Sequence, residues 1–389
     1  MSTHHPTTVV GAGLGGLALA LGLARAGKPV HVYEQAKELG EVGAGISLSP
    51  NAVKALRYLG LGEAIAAQAD EPPIQVTKHF ETGETLVHID RAKTEEMLGA
   101  PYLQMHRADL HALLTETYLQ ANPDGITLAA ELTDIKQVDD KHHLTFSNGE
   151  QATTNLLLGA DGLKSTVRRL VFAEDEAQFT GYVAWRGLVP TADVAELNLQ
   201  AGSCVFVSPG RIFVRYPVRL GKIQNVVAFA KADNWAAEGW SQTGKLSTFR
   251  TLFSDFHPEA KTVMAAFKGT QIHKWGLFAR SPLPQWIKDN AAVLGDAAHP
   301  MLPWFGQGAA TALEDAVILT RCLVAFDDQY EALKHYQDGR RDRVTEVHLE
   351  SHRGGDTLMG QDPYALAKNP LRTEDTLGLT EYDPATVAL

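Results

Sequence analysis

Three glycines near the start of the chain have the spacing to hold a phosphate. Gly11, Gly13 and Gly16 fit G-x-G-x-x-G between an apolar run at 8–10 and a second at 30–33, and Glu34 closes the second run. In such a turn Gly11 permits the tight bend, Gly13 lets a pyrophosphate approach the backbone, and Gly16 lets helix and strand pack closely. The orphan N–H groups of the helix that follows, with Leu14 and Gly15 in its first turn, then face the phosphates. A carboxylate about 20 residues beyond the glycines can take a ribose hydroxyl, which makes Glu34, with Gln35 beside it, the expected ribose end. A glycine-rich packing helix would leave that acid without a role. The fingerprint asks for a dinucleotide and does not separate NAD from FAD.

The elements that must position these residues follow from periodicity. A strand at 8–10, a helix at 14–26 and a strand at 30–33 open a doubly wound unit. Asn51 can cap a helix to residue 59, and residues 74–89 alternate as two strands around the turn at 82–84. A helix to residue 120 follows Met105, then strands at 126–128, 132–138 and 144–146, an apolar strand at 155–162, and a short basic helix with Lys164, Arg168 and Arg169. Residues 177–280 alternate in strands rich in Val, Phe, Trp and Tyr, with one helical insertion at 241–254; this reads as an antiparallel sheet with one packed face. A buried strand at 291–296 returns to the first unit, followed by helices at 308–325 and to 353. The tail from 354 shows little periodicity. The fold class is α/β, a Rossmann-like nucleotide domain interleaved with a mainly antiparallel substrate domain. Its expected segments are 1–73, 105–176 and 286–353 for the first domain, 74–104 and 177–285 for the second, and 354–389 for the tail.

Composition narrows the partners. Lys plus Arg is 35 against 46 Asp plus Glu, a net charge of -11, which argues against nucleic acid and an anionic membrane surface. Cys204 and Cys322 match no metal spacing and suit a reduced, cytoplasmic setting. No signal peptide is evident, and His4 and His5 read as a flexible N-terminus. Oligomeric state is not legible, and a homodimer stays open.

Two further motifs join the first. One is Gly159-Ala-Asp161-Gly162-Leu-Lys-Ser-Thr-Val-Arg168; the other is Gly295-Asp296-Ala-Ala-His-Pro300, continuing through Pro303, Gly306-Gln-Gly308 and Glu314-Asp315. With His106-Arg107-Ala-Asp-Leu110 and Tyr216-Pro217-Val-Arg219, the set resembles the single-component flavoprotein aromatic hydroxylases, which include the salicylate, hydroxybenzoate and 6-hydroxynicotinate monooxygenases. The resemblance spans roughly residues 8–345 and implies a para-hydroxybenzoate hydroxylase-like fold with FAD as the dinucleotide. It implies that Glu34 binds the adenosine ribose and that Arg107 reaches the phosphate or ribose region. Asp296 would accept from the ribityl chain, and Leu132 would belong to the cofactor set. The amides around Gly306, Gly308 and Ala309 would face the pyrimidine edge, where a helix end favours an anionic ring by roughly 0.3–2 kcal/mol. Asp161 and Gly162 match a motif serving both FAD and a passing nicotinamide. No second fingerprint exists, which fits a transient NADH or NADPH, with NADH preferred.

The implied reaction is hydroxylation of a small aromatic, a phenolic or heteroaromatic acid, by oxygen carried as a flavin C4a-hydroperoxide. Relatives that ionise their substrate often place His or Gln near Ile212 and Trp304, where this chain has apolar side chains. Ser47 stands where the 6-hydroxynicotinate type carries a histidine. Tyr216 is then the expected catalytic group, binding a substrate hydroxyl or relaying a proton. Ile212, Pro303, Trp304 and Phe305 are expected to line the pocket; Trp185 is a further candidate for the ring-stacking wall, though ordinary core packing is preferred for it, and Arg211 and Arg215 are candidates for a substrate carboxylate, though alternating charges on a strand face are more often solvated. His299 and His106 read as structural. The competing readings are a flavin enzyme of the same fold acting on an isoprenoid, and a non-catalytic dinucleotide-binding protein.

Overall fold

The computed structural model describes residues 3–40, 43–172, 176–197, 199, 202–233, 235, 243–368 and 373–389. Strand Thr3–Val10 lies between two parallel neighbours, His31–Tyr33 and Gln151–Gly159, and Ala291–Val293 extends the parallel set beyond the latter. The first strand starts five residues earlier than its apolar run, because pairing with the 151–159 strand continues back to Thr3. His4 and His5 are therefore ordered strand residues rather than a loose end, and His5 stacks on His31 with ring centroids 4.2 Å apart.

Helix Leu14–Arg25 packs against helix Gln307–Ala325, and both begin over the same end of this sheet. The approach depends on small residues: a Cβ at Gly15 would lie 3.3 Å from that of Ala312, and one at Gly22 would lie 2.5 Å from the Thr320 hydroxyl. Two helix N-termini, contributed by sequences nearly 300 residues apart, thus converge on one cleft.

Among the described residues the second sheet has eight strands. From one edge they are Thr243–Lys245, Gln271–Ala279, Gln178–Pro190, Ile223–Lys231, Arg211–Val218, Gly202–Ser208, Ile74–His79 and Thr85–Asp90. All neighbours are antiparallel except 202–208 with 74–79. One face buries Phe206, Phe213 and Val226 beneath helices Leu246–Leu252 and Pro258–Ala265; the second helix did not stand out in the sequence. The insertion expected at 241–254 is shorter, a strand at 243–245 leading into the 246–252 helix, and residues 241 and 242 lie outside the described set. The basic stretch after Gly162 forms a π-helical turn at Arg168–Phe172 instead of an α-helix. The polar helix runs on to Leu358, and residues 373–389 fold back onto the body.

A two-stranded ribbon, Gly45–Leu48 with Leu103–His106, joins the sheets. Gly45 donates its amide to Asn225 Oδ1 at 2.7 Å, which seats the ribbon on the open face of the second sheet.

Candidate active site

The cleft is built mostly from backbone. Gly11 has a φ of 103°, and a Cβ there would meet the Ala160 carbonyl at 2.5 Å. At Gly16 a Cβ would stand 2.0 Å from the Gly11 carbonyl oxygen, while at Gly13 it would meet nothing within 4 Å. The turn is thus closed on its protein side and open on the other, as a group approaching the backbone requires. Helix 14–25 starts with no side chain capping its amides, which leaves those donors to a ligand. His111 holds the turn from behind, with Nε2 2.7 Å from the Ala12 carbonyl.

Asp296 and Arg107 face the same cavity, of about 530 Å³, as Gly13, Leu14, Gly15, Ala44, Ser47, Gly306, Gly308 and Ala309. Among the described residues no donor bonds the Asp296 carboxylate, and burial holds its pKa above the ordinary range despite the positive charge of Arg107. An acid aimed into a cleft suits a polyol chain that donates hydroxyls, so this donor set fits the ribityl and pyrophosphate of FAD. Gly306, at φ 63°, turns the chain into helix 307–325 and brings its first amides to the cavity.

Buried charges fix that helix. Asp315 accepts from the Gly295 amide at 3.0 Å and contacts His299 Nε2 at 2.6 Å and Arg340 Nε at 2.8 Å. Arg340 and Arg343 both pair with Glu314, at 2.6 and 2.8 Å. Burial alone would raise the Asp315 pKa, but His299, Arg340 and the Gly295 amide hold it down at about 2. Asn51 bonds both Gln307 and Glu314, tying the 45–51 segment to the same frame. His299 has the structural place expected of it.

Beyond the cleft the cavity opens over one face of the second sheet. Strand register sets its floor in rows, since alternate residues share a face. Thr77, Val205, Val214, Val227 and Arg186 form one row across five strands, roughly 19 Å from end to end at the usual strand spacing. One pleat nearer the 45–48 ribbon lies a polar row of Gln75, Ser203 and Tyr216; on the other side lie Ile212, Phe229 and Trp275. Gln104, from the ribbon, donates to Ser203 Oγ at 2.5 Å. Tyr102 and Ser47 complete the polar end, and burial raises both phenols, Tyr102 to about 12 and Tyr216 further. Hydrogen bonding with Ser47 offsets part of that rise in each.

Most of the site residues expected from sequence meet here. Gly13, Leu14, Gly15, Ser47, Arg107, Asp296, Gly306, Gly308 and Ala309 line the cleft, and Ile212, Tyr216, Pro303, Trp304 and Phe305 line the chamber. Gly11 and Gly16 shape the turn from behind. Glu34 accepts from the amides of Ala12 and Ala36 at 2.7 and 2.8 Å, bracing the turn. Gln35 is exposed and Leu132 is core, both away from the cavity wall. Asp161 caps the next turn through Ser165 and the amides of Thr166 and Val167, and its neighbours Ala160 and Gly162 reach the wall instead.

Three residues weighed for the pocket lie on the other face of the sheet. Trp185 packs in the helix-covered core beside Phe249 and Phe253. Arg215 pairs with Glu259 at 2.7 Å, and Arg211 with Asp255. All three have the strand parity that faces the helices, so none can meet a substrate. On the chamber face of the sheet the 178–190 strand instead presents Arg186, buried, with its guanidinium 5.0 Å from the Trp275 ring. It follows Trp185 by one residue, and only strand parity, unreadable without the pairing, distinguishes them. Tyr102, Gln75, Gln104, Ser203 and Glu374 also line the chamber without any local sequence signal. Among the described residues no helix is long and apolar enough to cross a membrane, and no cluster of His, Cys, Asp and Glu could hold a metal ion.

The comparisons with known proteins agree with this geometry. A family model described as an FAD binding domain matches residues 4–351. The 6-hydroxynicotinate 3-monooxygenase of Pseudomonas fluorescens is 35% identical over 376 residues, covering 93% of this chain and 94% of that protein. The 3-hydroxybenzoate 6-hydroxylase 1 of Aquipseudomonas alcaligenes is 34% identical over 386 residues, covering 98% and 95%. Among solved structures, Klebsiella pneumoniae HpxO complexed with FAD and uric acid superposes with a TM-score of 0.85 at 26% identity, over 97% of this chain and 96% of the other. Shared family, sheet arrangement and an acid- and glycine-lined cleft opening on a ring-sized chamber lead to one assignment: the chain belongs to the FAD-dependent aromatic hydroxylases, the single-component flavoprotein monooxygenases.

Proposed function

We propose that this chain hydroxylates a small aromatic acid bearing a ring hydroxyl, using oxygen and a transiently bound NADH or NADPH, in the cytoplasm. FAD, when bound, supplies the redox chemistry that activates oxygen; Gly13, Gly15, Arg107, Asp296 and the amides at 306–309 would hold it. The observation that carries the substrate reading is the division of the chamber floor. Arg186 presents a planar pair of donors suited to a carboxylate, two strands and one pleat away from the Tyr216 hydroxyl. Between them lie Val214 and Val227, with Ile212, Phe229 and Trp304 as an apolar flank for a ring. An isoprenoid would bury the Gln75, Ser203 and Tyr216 row against hydrocarbon and bring no partner for its remaining donors and acceptors, which is unfavourable.

The chain's own residues then do three things. Arg186 and Tyr216 fix the ring by its two polar ends. The apolar flank excludes water from the reacting face. Tyr216, with Ser47 behind it, bonds the ring hydroxyl and raises the electron density of the ring as that proton is drawn away. The test is a screen of hydroxylated aromatic acids for stimulated NADH and NADPH oxidation, with product and hydrogen peroxide measured together. A substrate accelerates oxidation and yields hydroxylated product in near-equal amount. If every acid gives only peroxide, the substrate reading fails.

A further inference from the structure

Charge is divided unevenly along the cavity. Among the described residues the charged side chains on its wall are Arg107, Asp296, Arg186, Glu350, Arg353 and Glu374. Arg107 and Asp296 belong to the cofactor cleft, and Glu350 pairs with Arg353 at 2.7 Å on the 329–358 helix. Arg186 and Glu374 remain to set the polarity of the substrate chamber. Arg186 stands on the 178–190 strand. Glu374, in the C-terminal tail and 6% exposed, reaches the 74–79 strand through Arg91. Those two strands are four spacings apart in the sheet, roughly 19 Å.

The tail holds the Glu374 carboxylate in place. Arg91, buried at the end of the 85–90 strand, donates to Glu374 Oε1 at 2.8 Å and to Gln75 Oε1 at 3.1 Å, and also bonds Asp375. Its guanidinium lies 4.3 Å from the centre of the Tyr102 ring. Thr380 donates to Asp375 Oδ1 at 2.9 Å, and the Leu379 amide donates to the Glu374 carbonyl at 2.9 Å, which closes the turn. Further along, Arg343 and Arg321 each donate at 2.7 Å, to the carbonyls of Leu379 and Pro384. One guanidinium behind the wall thus serves two carboxylates. The tail end of the chamber keeps a net negative charge, while the Arg186 end is positive.

We infer that Glu374 is a specificity-determining residue. It refuses a carboxylate at the tail end of the chamber and accepts a substituent with a hydrogen to donate, so an aromatic acid binds with its carboxylate toward Arg186. This rests on the aromatic-acid reading above and narrows it, because rings carrying a second carboxylate toward the tail are shut out. Like charges brought together in a water-poor site are strongly unfavourable, whereas a hydroxyl or amine donates well to a carboxylate. Arg91, Asp375 and Tyr102 are the charged and titratable groups facing Glu374 among the described residues. Burial raises its pKa, Arg91 pulls against that rise, and Asp375 adds to it. Refusal of anions therefore strengthens as pH rises and the acid ionises.

The test compares two anions on oxidised, FAD-loaded protein, with binding read from the flavin spectrum. One is 3-hydroxybenzoate; the other is 5-hydroxyisophthalate, the same ring with a second carboxylate. The quantity read is the ratio of their dissociation constants, dicarboxylate over monocarboxylate. Glu374→Gln keeps the size of the side chain and an acceptor for Arg91 while removing the charge, and is expected to lower the ratio about tenfold. Gln75→Glu adds a charge beside Arg91 and should raise it. Raising the pH should widen the ratio in the parent and leave it flat in Glu374→Gln. A merely structural role for Glu374 would lower flavin content or melting temperature and weaken both ligands alike, leaving the ratio where it was. A ratio that does not fall in Glu374→Gln overturns the inference, and Gln75→Glu decides in its place if that variant does not fold. A dicarboxylate that neither the parent nor any variant admits overturns it too, since the wall then sorts by shape. If 3-hydroxybenzoate and its positional isomers all leave the parent flavin unperturbed, the aromatic-acid reading has failed. If they perturb it and the ratio stays fixed, only the role of Glu374 has.

Discussion

The cofactor cleft and the substrate chamber share a cavity but are specified in different ways. The cleft is made of backbone: three glycines, two uncapped helix starts and one carboxylate, all in short contiguous motifs. The chamber is made of side chains that meet only because strands pair in a given register, plus one residue from the tail. The difference teaches that binding of FAD is fixed locally, whereas choice of substrate is fixed by long-range pairing. Damage to the cleft should therefore empty the protein of flavin, while damage to the chamber should leave a yellow protein with altered chemistry.

The sharpest way to break that contrast is Gly16→Ala. Its new Cβ would fall 2.0 Å from the Gly11 carbonyl oxygen, against rigid backbone rather than a movable side chain. The glycine turn must open, and bound flavin, read as the 450 to 280 nm absorbance ratio, is expected to drop by more than about tenfold. A fully loaded Gly16→Ala protein would mean the turn does not hold the cofactor. Asp296→Ala should act in the same sense, because it removes the acid that faces the cleft.

The next largest effect should be on stability. Arg340 is 0% exposed and holds Glu314 and Asp315 together, so Arg340→Met leaves two buried carboxylates short of their cation. Breaking such a network costs about 3–5 kcal/mol, to be read as the shift in denaturant midpoint. The pH sign is also fixed. Asp315 has a folded pKa near 2 against an ordinary value of 3.8, so its contribution is full above about pH 4 and is lost as pH falls toward 2. Arg340→Met should remove part of that acid-side slope.

How much of this could be read beforehand follows the same division. The glycine motif, Arg107, Asp296 and the 306–309 turn were legible because each needs a particular residue type in a fixed local spacing. Glu34 had the right position, but its carboxylate oxygens meet the amides of Ala12 and Ala36, a bond the sequence does not announce. In the second sheet, alternation showed strands without showing which parity faced the helices. That left Arg211, Arg215 and Trp185 to be weighed as pocket candidates and Arg186 unnoticed, although the side of one row decides all four. Glu374 was invisible for a different reason: a tail with no periodicity gives no hint that Arg91, nearly 300 residues earlier, will fold over it.

Within the chamber, Tyr216→Phe tests whether chemistry can fail while flavin stays. The hydroxyl lines the chamber with Ser47, and under the proposed function removing it should lower the product formed per NADH oxidised several-fold, with roughly 10²-fold loss in hydroxylation at most. Flavin content should hold; a matching loss of flavin would erase the distinction between the two regions. Arg186→Gln should have a smaller and more selective effect. Its expected signature is about tenfold weaker binding of carboxylated rings and little change for the corresponding uncharged phenols, read by flavin perturbation. Equal weakening of both would assign Arg186 to packing with Trp275.

Trp304→Phe should have the smallest effect, for a reason visible in its surroundings. The indole packs edge-on against Phe229 and Tyr182, with centroids 4.8 and 5.3 Å away, and lies against Gly354 and Gly355 of the 329–358 helix. Its Nε1 is buried with no acceptor among the described residues. Phenylalanine keeps both ring contacts and removes that unsatisfied donor, while losing some apolar area and leaving a gap beside the glycines. The two effects oppose each other at about 1 kcal/mol each, so melting temperature should change by only a few degrees. Because Trp304 borders the chamber from the turn that leads into the flavin-facing helix, the substrate KM should move more than the flavin content. A loss of flavin larger than the change in KM would show that Trp304 belongs energetically to the cleft rather than to the chamber.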